Sequence, residues 1–174
     1  MLADHARTLS FAIADGAVPS NEGRGYVLRR ILRRAVRYGM QTLGGKPGFF
    51  SDIIPVVAQT MGSAFPEVIE KQADIMAIVR EEEASFSTLL EKGVKYLNDL
   101  ISSGNAANGV ISGEQAFFLY DSLGFPLDLT QIMAAENGLK VDTEGFQNAM
   151  SIQKARSRLA TVRTSAQSDY FDRF

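Results

Sequence analysis

An arginine-rich segment is the part of this sequence with the clearest chemical potential. One predicted helix carries arginines on the side of the wheel opposite its apolar residues, at Arg29, Arg30, Arg33, Arg34 and Arg37. Arg24 precedes them in a predicted loop. A guanidinium group is planar, always charged and able to donate paired hydrogen bonds to phosphate. The segment therefore predicts contacts with a nucleic-acid backbone, which provide affinity and register but little sequence information.

Two simpler interpretations of the arginine helix remain open. Such a face can be a solvated surface that binds nothing. One or two of the arginines could instead pair with the acidic run Glu81-Glu82-Glu83, which by itself predicts a solvated helix face. The opposite half of the wheel predicts burial. Its residues are Val27, Leu28, Ile31, Leu32, Ala35 and Val36.

Charge and composition narrow the classes of function. The first 50 residues hold eight Lys and Arg against three Asp and Glu, a net charge of +5, although the whole chain carries −2. A basic part within an acidic total is typical of proteins that bind a polyanion. The chain has no cysteine and one histidine, His5, which argues against disulfides, a protein-built zinc site and a histidine-dependent triad. No apolar run reaches membrane-spanning length, and the sequence predicts a cytoplasmic or organellar protein.

The apolar spacing predicts helices and no strand of useful length. The segments with helical spacing are 3–14, 27–37, 49–61, 66–101, 116–120, 132–135 and 142–159. A loop over 18–25, rich in turn-forming residues, leads into the arginine helix. Ser112 and Asp128 each have a glutamine three residues on, which predicts two capping boxes. Asp142 is the predicted N-cap of the last helix.

Two long segments carry motifs that are more than a short pattern. The first runs from Ala3 to Ala35 and contains Pro19-Ser20-Asn21-Glu22-Gly23-Arg24-Gly25. The second, residues 119–130, contains Tyr120-Asp121-Ser122-Leu123-Gly124-Phe125-Pro126. Both resemble the middle tRNA-recognition region that follows the class II catalytic domain of alanyl-tRNA synthetases. The resemblance covers roughly residues 2–158, and long ungapped motifs are more specific than a short pattern.

The resemblance implies two base-reading positions. The local composition around Asn21 and Asp121 predicts, by itself, that both are turn or capping residues. The family recognises a G3·U70 wobble pair in the tRNA acceptor stem through an asparagine and an aspartate that correspond to these positions. The guanine 2-amino group of a wobble pair is exposed in the shallow groove, and a carboxylate can accept its hydrogen bond. Asn21 offers both a donor and an acceptor, and the sequence leaves open which one meets RNA. Ser122-Leu123 replaces the family's common Thr-Tyr, so a tyrosine contact beside Asp121 is not expected.

The sequence predicts an all-α protein of two packed helical subdomains, 1–110 and 111–160, with one long helix and a tail over 161–174. The resemblance implies that the Asn21 loop and the Asp121 corner hold the tRNA(Ala) acceptor stem, beside the remaining synthetase domains. In that family ATP, Mg and the editing-domain Zn belong to other domains, so this chain is predicted to hold no cofactor and to be inactive alone. Two alternatives stay open: a section of an active synthetase, or a stand-alone protein-interaction or regulatory module.

Overall fold

The computed structural model describes residues 1–103 and 107–156. These residues are mostly helical, which confirms the predicted fold class. The chain divides into two compact units, Met1–Val94 and Lys95–Phe174. The predicted subdomain boundary at residue 110 stays a prediction, and the predicted tail over 161–174 lies outside the described residues. In the described ranges, no helix has both the length and the apolar character that a membrane span requires.

The first unit is built from helices joined by short turns. Their bounds are Leu2–Ala14 for α1, Gly23–Leu43 for α2, Ile54–Met61 for α3, Pro66–Glu70 for α4 and Gln72–Ser102 for α5, which extends past the unit. A 3-10 turn, Ser51–Ile53, leads into α3. Pro55 lies in the first turn of α3, where a backbone N–H has no helical partner to lose. The helix predicted over 49–61 is confirmed for residues 54–61, and a 3-10 turn precedes it.

The long helix predicted over 66–101 is confirmed from Gln72 onward, but a break near its start divides it into two helices. Lys71 leaves the helical conformation, with φ −100° and ψ 11°, and separates α4 from α5. Apolar spacing continues on both sides of this position, so the periodicity does not reveal the break. The Lys71 ammonium group donates a hydrogen bond of 2.6 Å to the carbonyl oxygen of Ala14. The break thus places a cation at the C-terminal end of α1, where it is favourable.

Helix α2 buries most of the apolar face that the wheel predicts, with three exceptions. Leu28, Leu32, Ala35 and Val36 are buried, whereas Val27 is 51% exposed and Ile31 is partly exposed. The third exception is an arginine that is buried, and it is described with the candidate site. Gly39 is needed for packing because a Cβ there would lie 1.9 Å from Cζ of Phe49. This glycine allows the Phe49 ring to lie directly against the α2 backbone.

The described part of the second unit combines the end of α5 with three further helices and a two-stranded parallel pair. The helices are α6, Gly113–Leu123, α7, Leu127–Glu136, and α8, which covers 143–156. Strands β1, Val110–Ile111, and β2, Lys140–Val141, pair with Val110 opposite Lys140. The sequence does not predict this pair, because strands of two residues are too short to show an alternating pattern.

The cap predictions in the second unit have mixed outcomes. Ser112 Oγ accepts a 3.2 Å hydrogen bond from the Gln115 N–H, and Gln115 Oε1 accepts one of 2.9 Å from the Ser112 N–H, so this capping box is confirmed. Asp142 Oδ1 accepts a 2.9 Å hydrogen bond from the Gly145 N–H, as expected of an N-cap. The Asp128 box is wrong: α7 begins at Leu127 after Pro126, without a side-chain cap. Proline sets φ for helix entry, so α7 starts before Asp128.

Candidate nucleic-acid interface

The Asn21 loop lies between α1 and α2 and is held against the first turn of α2. A Cβ on Gly25 would lie 2.1 Å from Ser20 Oγ and 2.3 Å from the Val18 carbonyl oxygen. Only glycine leaves room for this approach. Ser20 Oγ also donates a 3.0 Å hydrogen bond to the Glu22 carbonyl oxygen. The loop therefore has a defined path, and Asn21 is exposed on it.

The Asn21 side chain contacts an arginine from the body of α2. Asn21 Oδ1 accepts a hydrogen bond from Nη1 of Arg29. Nη2 of the same guanidinium group donates a 2.9 Å hydrogen bond to Oε2 of Glu82, on α5. Arg29 thus bridges the loop and α5.

Glu82 also binds a second arginine, in the interior. Its Oε1 accepts hydrogen bonds of 2.9 Å from Nε and 2.7 Å from Nη2 of Arg33. Arg33 is 7% exposed and Glu82 is 9% exposed. The Arg33 guanidinium carbon lies 5.1 Å from the centroid of the Phe86 ring, a cation–π distance. Burial lowers the pKa of Arg33, and the Glu82 carboxylate opposes that shift.

The acidic run is not a solvated face, contrary to the prediction from sequence. Glu81 is exposed, but Glu82 and Glu83 are buried. Glu83 Oε1 accepts 3.0 Å hydrogen bonds from the N–H groups of Gly48 and Phe50, and its Oε2 accepts one of 3.0 Å from Ser51. This carboxylate satisfies backbone donors at the turn before α3. The alternative that one or two arginines pair with the acidic run is confirmed for Arg29 and Arg33.

The remaining arginines do not pair with the acidic run. Arg24 is exposed and lies in the first turn of α2 rather than in the predicted loop, and Arg30, Arg34 and Arg37 are partly exposed. The Arg30 guanidinium carbon lies 5.9 Å from the centroid of the Tyr26 ring. Arg37 Nε donates a 2.7 Å hydrogen bond to Gln41 Oε1, one turn further along α2.

Helical geometry explains this division. At about 100° per residue, Arg29 and Arg33 lie roughly 100° and 140° around the helix from Leu28. Arg30, Arg34 and Arg37 lie at about 180° to 240°, on the opposite side. The first two arginines therefore flank the core, and the expectation of one uniform arginine face is corrected. The i,i+4 spacing of Arg29 and Arg33 beside the apolar stripe is the signal that could have identified the pair.

Asp121 belongs to the second unit and lies in the last turn of α6. It is exposed, and its carboxylate makes no hydrogen bond or ion pair with any residue in the described ranges. The helix ends beyond it with Gly124 in the left-handed conformation, φ 63°. The N–H of Phe125 donates a 2.9 Å hydrogen bond to the Leu119 carbonyl oxygen. Asp121 is therefore a residue of the helix end, and the corner itself begins at Gly124.

Buried residues hold this corner in place. Phe125 is 1% exposed, and Pro126 is also buried. The left-handed glycine and the buried Phe-Pro pair explain why this motif closes α6 sharply. Asn21 belongs to the first unit and Asp121 to the second, and their joint contact with one base pair stays a prediction.

Comparison with known proteins identifies a synthetase family. The family described as "tRNA synthetases class II (A)" matches residues 1–172. An alanine--tRNA ligase from Chlorobium phaeobacteroides is 52% identical over 159 residues, 91% of this chain and 18% of the relative. One from Chlorobium chlorochromatii is 50% identical with the same coverage. One from Pelotomaculum thermopropionicum is 48% identical over 165 residues, 94% of this chain and 19% of the relative.

The matches show how much of each relative corresponds to this chain and which region it is. The chain spans less than a fifth of the length of the curated relatives it matches. The matching family is that of the class II synthetase itself. The match therefore lies in the class II synthetase region rather than in a separate middle recognition domain, which corrects the expectation from sequence.

Proposed function

Since the chain belongs to the family of class II (A) tRNA synthetases, we propose that it binds the tRNA(Ala) acceptor stem and recognises its G3·U70 wobble pair, as part of an alanine–tRNA ligase. The observation that carries this proposal is the exposed Asn21 amide, held on its loop by an arginine of the adjacent helix. An exposed polar side chain in a defined position is what base reading requires. Asn21 stands beside a helix with further cations on its solvent side.

Asp121 supplies the second part of the proposed recognition. Its carboxylate is exposed at the end of α6, with no hydrogen-bond partner in the described part of the chain. A carboxylate accepts hydrogen bonds and donates none, which suits the guanine 2-amino group of a wobble pair. One such base-edge contact discriminates by about 1–3 kcal/mol.

Affinity comes from phosphate contacts of a smaller arginine set than the sequence predicts. We assign this role to Arg24, Arg30, Arg34 and Arg37, which are exposed or partly exposed. Arg33 is left out because it is buried and already bound to Glu82. Arg29 is left out because Asn21 and Glu82 occupy its two terminal nitrogens.

The chemistry of aminoacylation is assigned to the whole ligase. This chain contributes tRNA binding, and none of its residues is proposed as catalytic. ATP, Mg and the editing-domain Zn would be held by other parts of the enzyme. Binding of the acceptor stem by this chain would position the 3′ end of the tRNA for a reaction that takes place in another part of the ligase.

Hairpin binding tests the proposal directly. The dissociation constants of a G3·U70 acceptor-stem hairpin and of its G·C variant are measured with the 174-residue chain. We expect tighter binding of the wobble hairpin, and loss of that preference in Asn21→Ala and Asp121→Ala. Glu114→Ala is the control, because Glu114 is an exposed acid at the other end of α6. Equal affinity of the unsubstituted chain for both hairpins would refute recognition. Absence of any RNA binding would favour an interaction module.

A further inference from the structure

We propose that Arg29 and Glu82 form a positioning pair that decides which atom of the Asn21 amide is presented to RNA. Wobble recognition would then depend on two residues that do not themselves touch the base pair. This inference rests on the proposed function. It adds specificity-determining residues that lie in the body of the first unit rather than in the loop.

The first step of the argument is the geometry of the bridge. The terminal nitrogens of Arg29 donate to different partners, Nη1 to Asn21 Oδ1 and Nη2 to Glu82 Oε2. A guanidinium group is rigid and planar, so fixing one terminal nitrogen also fixes the direction of the other. The position of Glu82 is therefore transmitted to the Asn21 side chain.

The second step is that burial and hydrogen bonds hold Glu82 in position. It is 9% exposed, and its other oxygen accepts two hydrogen bonds from the buried Arg33. Arg33 is in turn held over the Phe86 ring, which is completely buried. A carboxylate with this many buried partners has few alternative positions. Arg29 thus connects the exposed Asn21 side chain to buried residues of the first unit.

The Arg29 side chain itself is also constrained. It is 21% exposed, and its Nε–H is buried without a hydrogen-bond partner in the described residues. An unsatisfied buried donor is unfavourable. Turning the side chain to satisfy Nε would break one of the two terminal contacts. The observed orientation therefore indicates that the bridge to Asn21 and Glu82 outweighs this cost.

The third step concerns the orientation of the amide. Arginine donates hydrogen bonds and cannot accept them, so only the oxygen of the Asn21 amide can face Arg29. The amide nitrogen then points away from the bridge and is the group left for RNA. Asn21 would present a donor, whereas Asp121 presents an acceptor. The two residues would therefore read opposite kinds of base-edge group, which resolves the choice that the sequence leaves open.

A phosphate contact by Arg29 is the main competing role. It would require the guanidinium group to leave Glu82, a buried carboxylate that would then lose one of its partners. It would also weaken binding to both hairpins equally, since phosphates carry no base identity. A purely structural bridge would lower stability without changing the preference between hairpins. The three roles therefore differ in what they change.

The test uses substitutions that separate these roles. Arg29→Lys keeps the charge, but one ammonium group cannot form the planar bridge to two partners. Asn21→Asp keeps an acceptor for Arg29 and removes the amide donor. Arg80→Lys is the matched control. Arg80 is exposed and also bridges two partners, with hydrogen bonds of 3.2 Å to the buried Ser51 Oγ and 3.0 Å to Asp52 Oδ1, and it has no proposed role in binding.

The measured quantity is the ratio of dissociation constants for the G·C and G3·U70 hairpins, with the melting temperature recorded for each variant. A base-edge contact gives a ratio of roughly 5- to 150-fold. We expect Arg29→Lys and Asn21→Asp each to reduce the ratio toward one. Affinity for the G·C hairpin should change little in Arg29→Lys, whereas the added negative charge of Asn21→Asp should weaken binding to both hairpins. Arg80→Lys should keep the ratio of the unsubstituted chain. Arg29→Lys in an Asn21→Ala background should change the ratio no further, because Arg29 acts through Asn21.

The outcomes distinguish this inference from the proposed function. If Asn21→Ala abolishes the preference while Arg29→Lys retains it, the positioning role is refuted and the recognition by Asn21 stands. A full preference in Asn21→Asp would refute the donor assignment. If the unsubstituted chain does not distinguish the hairpins, both the proposed function and this inference are refuted.

Discussion

Two edges of α2 carry the same residue type in opposite environments. Arg29 and Arg33 flank the apolar face and share the carboxylate of Glu82. Arg30, Arg34 and Arg37 lie on the other side and are partly exposed. A rotation of about 100° around the helix separates the two arginines that pair with Glu82 from the three that are partly exposed. The five side chains have the same charge and donors, and their angular position on the helix decides which of them pair with Glu82.

The largest expected effect is on the stability of the buried edge. Glu82→Ala leaves Arg33 as a buried charge without its carboxylate. Breaking a buried pair in this way costs about 3–5 kcal/mol. Urea unfolding followed by circular dichroism measures the change in unfolding free energy. The control is Glu81→Ala, because Glu81 is the exposed neighbour and should change it by less than about 0.5 kcal/mol. Similar losses in both variants would contradict the distinction between the two edges.

A smaller loss is expected where the loop crosses α2. In Gly25→Ala the new methyl group would meet Ser20 Oγ at 2.1 Å and the Val18 carbonyl oxygen at 2.3 Å. Overpacking of this kind costs about 1–3 kcal/mol, and displacement of the loop should also remove Asn21 from Arg29. We expect lower stability together with reduced wobble preference. Glu22→Ala, at an exposed N-cap without a side-chain cap bond, should affect neither. An unchanged wobble preference in Gly25→Ala would show that the loop path does not position Asn21.

The exposed edge should affect affinity rather than folding. Arg34→Gln and Arg37→Gln should each weaken binding to both hairpins equally. Each should also reduce the slope of log affinity against log salt by about 0.7–0.9, the contribution of one phosphate contact. Salt titrations of hairpin binding measure the slope. Arg80→Gln removes the same charge elsewhere in the first unit and should leave the slope unchanged. A change in wobble preference instead of the slope would assign these arginines to base reading.

The smallest expected effect is on the pH dependence of stability through His5, whose pKa depends on the charge of Arg34. Burial lowers the pKa of His5 below its ordinary value of 6.5, and the positive charge of Arg34 lowers it further. The folded state therefore binds the proton less readily than the unfolded state. This contribution to stability is present above pH 6.5 and is lost as the pH falls through the folded-state pKa. His5→Gln should remove that part of the pH dependence of unfolding.

Substitution of Arg34 tests directly whether its charge lowers the pKa of His5. Arg34→Gln should raise the pKa of His5 toward its ordinary value without restoring it fully, since burial is the larger cause. An NMR titration of the imidazole protons measures this shift. Arg33→Lys should leave the His5 pKa nearly unchanged, because it keeps the charge beside Glu82. A His5 pKa that does not respond to Arg34→Gln would mean that solvent screens the charge of the exposed edge.

Local patterns allowed much of the helical architecture to be predicted. The apolar spacing identified α1 and the buried positions Leu28, Leu32, Ala35 and Val36 of α2. The Ser112 box identified the start of α6, because both hydrogen bonds of such a box are local. The break at Lys71 and the short strands were not predicted. Each depends on a partner distant in sequence, Ala14 for the first and the paired strand for the second.

The candidate site divides in the same way. The sequence determined by itself which side chains could bind RNA, because a fixed charge, an amide and a carboxylate are properties of residue type. The tertiary structure decided which of them pair inside the first unit: α5 brings Glu82 to Arg29 and Arg33, and it buries Glu83 against the turn before α3. Pairing of a buried charge depends on residues about 50 positions apart coming together. No local pattern encodes that approach, since it follows from how the helices pack around a common core.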